Sequence, residues 1–204
     1  MTQPPLHDRT ALVTGASQGL GLAIATAYVD AGAHVAICAR TAEQLGTAAH
    51  ILEQRARSGQ RILPLAADVA NQSDVARVVE AFLQNFSHMD ILVNNAGIYG
   101  PMGPIEEVDW EEWTRAVQIN LHGSVLMCRA VLPHMKARRY GKVIQISGGG
   151  ATAPLANISA YAASKAAIVR FAETLALEVR AHGIDVNAIA PGALNTRLLD
   201  EVLA

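Results

Sequence analysis

Short β-branched, apolar runs alternate along this chain with longer segments whose apolar positions recur at helical spacing. The runs near 10–14, 34–38, 61–66, 90–94, 142–147 and 184–189 predict strands, and the segments 19–31, 42–58, 72–86, 110–138 and 160–181 predict helices. Ile91-Leu-Val93 and Val143-Ile144 are apolar without alternation, as strands buried on both faces of a sheet must be. Strands separated by helices imply parallel crossovers, hence an α/β fold with a doubly wound parallel sheet and helices on both faces. No linker, repeat or low-complexity tract interrupts the pattern. A single domain over residues 1–204 is therefore expected, with residues 1–9 as a flexible, polar, proline-containing tail. Asp109 is placed to cap the helix that begins at Trp110, with Glu112 three positions on, as in a capping box. Trp110 and Trp113 read as core or interface packing. Asn120 falls deep inside the same helix, where its amide competes for backbone hydrogen bonds, so a kink or a functional contact is expected there.

Composition narrows the classes. Of 204 residues, 51% are hydrophobic and 17% charged, enough apolar content for one sizeable core. A net charge of −2 gives no electrostatic case for nucleic acid or an anionic membrane. The cluster Lys136-Ala-Arg138-Arg139 suits the last turn of a helix. Cys38 and Cys128 are isolated, and the seven histidines lack ligand spacing, so neither a metal site nor a disulfide framework is indicated. Residues 1–9 lack the pattern of a signal peptide, and no run of 18 apolar residues occurs, so the expectation is a cytoplasmic protein without a membrane span.

Two stretches carry chemistry. Gly15-Ala-Ser-Gln-Gly19-Leu-Gly21 joins the first strand to the first helix. Its spacing is neither the common dinucleotide fingerprint nor a P-loop, but in this context the glycines let backbone approach a pyrophosphate at the helix N-terminus. Tight packing of strand on helix is the alternative. Tyr161-Ala-Ala-Ser-Lys165 puts a phenol and an ammonium on one helix face, about 5–6 Å apart at Cβ. A nearby cation lowers a phenol's pKa from about 10, which would let Tyr161 exchange a proton with an alcohol or carbonyl. Taken alone, the pair is equally well an ordinary helix face.

Together with Asn94-Asn-Ala-Gly97, Asn120 and Pro191-Gly-Ala-Leu-Asn-Thr196, these stretches resemble the short-chain dehydrogenase/reductase family over nearly all of residues 10–198. The resemblance implies a Rossmann-like domain and hydride transfer between a nicotinamide cofactor and a secondary alcohol or ketone. Tyr161 would be the general acid or base, Lys165 would tune it and bind the nicotinamide ribose, and Asn120 would hold a water in a proton relay. Gly15, Ser17, Gln18, Gly19, Leu20 and Gly21 would form the phosphate turn. Asp68 and Val69 would meet the adenine, and Asn94, Ala96 and Gly97 would flank the cofactor. Pro191, Gly192 and Thr196 would fix the nicotinamide. The second strand ends at neutral Ala39, and Arg40 follows, so a 2′-phosphate would find a guanidinium partner there. NADP(H) is accordingly expected over NAD(H), although Arg40 could merely start the next helix and Gln18 is neutral.

The chain departs from the family pattern twice. The serine usual thirteen positions before the tyrosine is Gly148, and the nearest hydroxyl, Ser147, is assigned the substrate-orienting role. Relatives also continue for several tens of residues past this point. The expected consequences are loss of the last edge strand, a pocket open on one side, and a homodimer built through helices 110–138 and 160–181. The competing reading is a catalytically weak cofactor binder that acts through protein contacts.

Overall fold

The structure is a computed structural model that describes residues 3–192. Six parallel strands, β1 (Thr10–Thr14), β2 (His34–Ala39), β3 (Ile62–Ala66), β4 (Ile91–Asn94), β5 (Gly141–Ile146) and β6 (Ile184–Ile189), form one sheet in the order β3-β2-β1-β4-β5-β6. The chain works outward from β1 to β3, then returns to the other side of β1 for β4 to β6. That reversal opens a crevice at the carboxyl ends of β1 and β4, where ligands bind in doubly wound sheets. Pro64 is accommodated because β3 lies at an edge, where a missing N–H leaves no inner ladder bond unmade.

Helices α1 (Gly19–Asp30) and α2 (Ala42–Glu53) cover one face, burying Ala25, Val29, Leu45 and Leu52 against β1 and β2. On the other face, α3 (Gln72–Phe86), α5 (Gly123–Arg138) and α6 (Ser159–Val179) enclose Phe82, Phe86, Met127, Met135 and Leu175. Asn71 caps α3 by accepting from the Ser73 and Asp74 N–H groups, and Asp109 caps α4 (Trp110–Val117) through the Glu112 N–H at 2.8 Å. The predicted helix 42–58 stops at Glu53, where a turn of polar residues leads to Gly59 at positive φ. The predicted helix 110–138 is divided by a wider π-turn at Gln118–His122, in which the Gly123 N–H reaches back to the Gln118 carbonyl. Asn120 sits in this turn, as its awkward position in the helix suggested. Residues 4–9 turn against the end of α1, with the Leu6 N–H donating to the Ala31 carbonyl at 2.9 Å.

At the end of the sheet away from the crevice, Asp90 is buried and ties β4 to β1. Its carboxylate accepts the Thr10 N–H at 3.1 Å, and it faces Arg9 at 3.5 Å and His88 at 3.3 Å. Asp90→Ala would leave the buried Thr10 N–H unmet, a loss of about 1–3 kcal/mol. Urea unfolding should show that destabilisation with ligand binding at the far crevice preserved; an unchanged midpoint would contradict it.

Candidate active site

The crevice is a cleft of about 470 Å³ that runs from the β1–α1 turn, past Arg40, to Tyr161. The glycines of the turn are required sterically. Gly15 has φ +63°, and a Cβ there would come within 2.8 Å of the Ala96 Cα; a Cβ on Gly21 would overlap the Gly15 carbonyl oxygen. The alternative of tight packing thus holds as well, and it leaves the N-terminus of α1 facing the cleft. Gln18 caps this helix without any side-chain hydrogen bond, so among the described residues no side chain claims its first amides.

Most of the expected residues line the cleft: Gly15, Ser17, Gln18, Gly19, Leu20, Gly21, Arg40, Asp68, Val69, Ala96, Gly97, Ser147, Tyr161, Lys165, Pro191 and Gly192. Thr196 lies outside the described residues. Asn94 is corrected by its neighbour. Successive side chains of a strand face opposite sides, and Asn94 points under the sheet, donating weakly to the Ser124 carbonyl and the Cys128 Sγ at 3.4 Å. Asn95 faces the cleft instead. It donates to the Thr14 carbonyl at 2.9 Å and the Gly15 carbonyl at 3.1 Å, stitching the glycine turn to the β4 loop. Cys38, Thr41, Gln44, Tyr99, Ile119 and Gly148 also line the cleft without having been singled out as cofactor or catalytic residues. Thr41 caps α2, and Gln44 lies in its first turn, four positions after Arg40.

Arg40 belongs to none of the ion pairs among the described residues, so its guanidinium is available to an anion at that end of the cleft. The Asp68 carboxylate, by contrast, is engaged by Arg115 and by the Ala70 N–H.

At the other end, Lys165 is 4% exposed, and its Nζ donates to the Ile146 carbonyl at 2.8 Å. Nζ lies over the Tyr161 ring, 5.5 Å from its centroid. Burial lowers the Lys165 pKa from 10.5 to about 8. The expectation that this ammonium holds Tyr161 below its ordinary range is reversed. Burial first, and then the neighbouring Tyr99, push the phenol above 10.0. Lys165, its pKa lowered to about 8, sheds its charge before the phenol titrates and so offers it no opposing attraction.

Asn120 does not line the cleft. Its Oδ1 accepts the Ile98 N–H and its Nδ2 donates to the Ile98 carbonyl, both at 2.8 Å, so this amide clamps the loop after β4. Gly97 lies beside the clamp, where a Cβ would stand 3.1 Å from the Asn120 Oδ1 and 3.4 Å from the Lys165 Nζ. Ser147 lines the cleft, and its Oγ donates to the Lys165 main-chain carbonyl at 2.9 Å, bracing α6 against β5. Gly148 lies so near Tyr161 that a Cβ would overlap the phenol oxygen.

No helix among the described residues is long and apolar enough to cross a membrane. The family model described as short chain dehydrogenase matches residues 9–204. The 2-(R)-hydroxypropyl-CoM dehydrogenase of Xanthobacter autotrophicus is 35% identical over 214 aligned residues, spanning 97% of this chain and 83% of that protein. The L-sorbose reductase of Gluconobacter frateurii, solved with NADPH and L-sorbose, superposes with a TM-score of 0.90 at 37% identity, over 96% of this chain and 73% of that one. An NAD+-bound xylitol dehydrogenase superposes at 0.88 and 29% identity, covering 92% and 71%. Sequence, fold and cleft agree with these matches, and the chain belongs to the short chain dehydrogenase family.

Proposed function

We propose that this chain is an NADP(H)-dependent oxidoreductase that interconverts a secondary alcohol and a ketone. The observation that carries the reading is one continuous cleft with a glycine turn and Arg40, in no ion pair among the described residues, at one end and a buried phenol–ammonium pair at the other. The residues suit a phosphorylated dinucleotide. The unclaimed α1 amides favour a pyrophosphate, and Arg40 favours a 2′-phosphate such as that of the NADPH held by the L-sorbose reductase. When bound, the reduced coenzyme supplies the hydride. Tyr161, kept protonated by burial, gives its proton to the ketone oxygen; in the oxidative direction the phenolate takes the proton from the alcohol. Lys165 places a cation between Tyr161, the Ile146 carbonyl and Gly97. Asn120 acts at one remove, by fixing Ile98.

The test is NADPH oxidation against small ketones, diketones and β-ketoacyl thioesters. Turnover of at least one class supports the reading. Tight NADPH binding with no turnover on any of them supports the second reading, a cofactor binder; Gly148 and the committed Ser147 hydroxyl are the features that favour it. Arg40→Ala should weaken NADPH binding about ten- to a hundredfold while leaving NADH binding unchanged, the scale of one charge-assisted hydrogen bond. Equal effects on both coenzymes would remove the NADP(H) preference. The same reading takes residues 1–204 as one cytoplasmic domain, and as a homodimer through α4–α5 and α6, where Trp110 and Leu177 remain exposed.

A further inference from the structure

Gly148, Gly149 and Gly150 follow β5 in succession, and each meets different surroundings. Gly148 has φ −172° and ψ −179°, an extended backbone open to any residue, so its conformation does not call for glycine. Its neighbour does. A Cβ at 148 would stand 2.2 Å from the Tyr161 Oη, 3.0 Å from Cζ and 3.4 Å from Cε1. The bare main chain therefore lies directly against the phenol oxygen. At Gly149 a Cβ would meet the Leu155 Cδ1 at 4.0 Å and nothing nearer. At Gly150 it would come within 2.5 Å of the Ala162 Cα, which presses this loop onto α6 one residue beyond Tyr161.

Both partners of the Gly148–Tyr161 contact are held in place. On the main-chain side, the Ser147 N–H donates to the Ile189 carbonyl at 2.8 Å and its Oγ to the Lys165 carbonyl at 2.9 Å. The Ala151 N–H returns to the Gly148 carbonyl at 3.0 Å. On the phenol side, the Tyr99 ring lies against Tyr161 with centroids 4.5 Å apart, and the Lys165 Nζ stands 5.5 Å from the Tyr161 centroid. Ordinary contact needs about 3.5 Å, so a Cβ at 148 would push the oxygen away by about 1 Å, toward the open cleft. A displacement of that size at a reacting group costs on the order of a hundredfold in rate.

We propose that Gly148 is a positioning residue for the reaction: by carrying no side chain it sets where the Tyr161 hydroxyl stands, and any side chain at 148 moves that hydroxyl off the reacting oxygen. The inference rests on the oxidoreductase reading above. The proton still passes from the Tyr161 Oη to the ketone oxygen, and no further co-reactant enters. The ionisable groups that face Tyr161 are Tyr99 from the loop after β4 and Lys165 from its own helix, and a substitution at 148 leaves both in the chain.

Gly148→Ala and Gly148→Ser should each lower kcat about a hundredfold with NADPH affinity unaltered. Serine should lose as much as alanine, because its hydroxyl comes with the same Cβ. Gly149→Ala is the control and should keep the wild-type kcat. A second measurement needs no substrate. Tyrosinate absorbance, taken as the difference between chains with and without Tyr161→Phe, isolates this one of the four tyrosines. In the Gly148→Ala background its transition should move to lower pH, because burial is what raises it and the displaced phenol enters the cleft. Any loss of stability in Gly148→Ala should shrink in the Tyr161→Phe background, where the nearest atom is gone. A wild-type kcat in Gly148→Ala, a faster Gly148→Ser chain, a Tyr161 transition that stays or rises, or an equal loss of stability in both backgrounds overturns the proposal. A wild-type chain that reduces no ketone overturns the oxidoreductase reading instead, and the titration separates the two failures.

Discussion

Tyr161→Phe is expected to lower kcat by about 10²–10⁴-fold with coenzyme affinity unchanged, the range for losing a positioned general acid. The substitution removes one oxygen and keeps the ring, so the ring contact with Tyr99 and the approach of the Lys165 ammonium persist. Among the described residues the cleft lining holds no imidazole, and its carboxylate, Asp68, is held by Arg115. The direction of the Tyr161 shift adds a pH signature. A phenol raised above 10.0 is protonated throughout the neutral range, so ketone reduction should stay level there and decline only at strongly alkaline pH. Alcohol oxidation needs the phenolate and should keep rising with pH beyond neutrality. A Tyr161→Phe chain that reduces ketones at the wild-type rate would remove Tyr161 from the chemistry.

Lys165→Met should do two opposite things: abolish efficient turnover and raise stability near neutral pH. The folded pKa, about 8, lies below the free value of 10.5, so at neutral pH the folded chain carries a buried cation that the unfolded chain keeps in water. At about 1.4 kcal/mol per pKa unit that burden is roughly 3 kcal/mol. It is fully present below pH 8 and shrinks as pH rises toward 10.5, because the folded lysine sheds its proton before the unfolded one does. Methionine removes the burden but leaves the Ile146 carbonyl without its donor, which returns about 1 kcal/mol or more. The net gain expected in urea unfolding is about 1–2 kcal/mol at neutral pH, fading above the folded pKa. A destabilised Lys165→Met chain at neutral pH would show that the buried ammonium earns its place structurally, not only by function.

The strands and the glycine turn were legible because burial on both faces demands unbroken apolar runs, and because a turn pressed against Ala96 admits no side chain. Arg40 and the Tyr161–Lys165 pair were legible for the same kind of reason: charge type and helical spacing are local properties. The errors came where tertiary contacts decide. Asn94 and Asn95 are the same residue type, and only the strand's register says which one faces the cleft. The partner of the Ser147 hydroxyl, the Lys165 carbonyl, is set by the fold as well. The Tyr161 shift was misjudged in sign because sequence proximity to a cation is visible and desolvation is not. The end of α2 at Glu53 reflects the turn into Gly59, whose polar approach still allows helix by composition.

Asn95 joins the glycine turn to the β4 loop across a separation of 81 residues, and Lys165 meets Ile146 only once β5 is in place. The coenzyme groove is therefore assembled from segments distant along the chain, whose long closure slows folding. A ligand that recognises that groove binds the finished molecule alone and draws the folding equilibrium toward it by mass action. For this chain, coenzyme supply would set how much of the newly made protein survives as well as how fast it works.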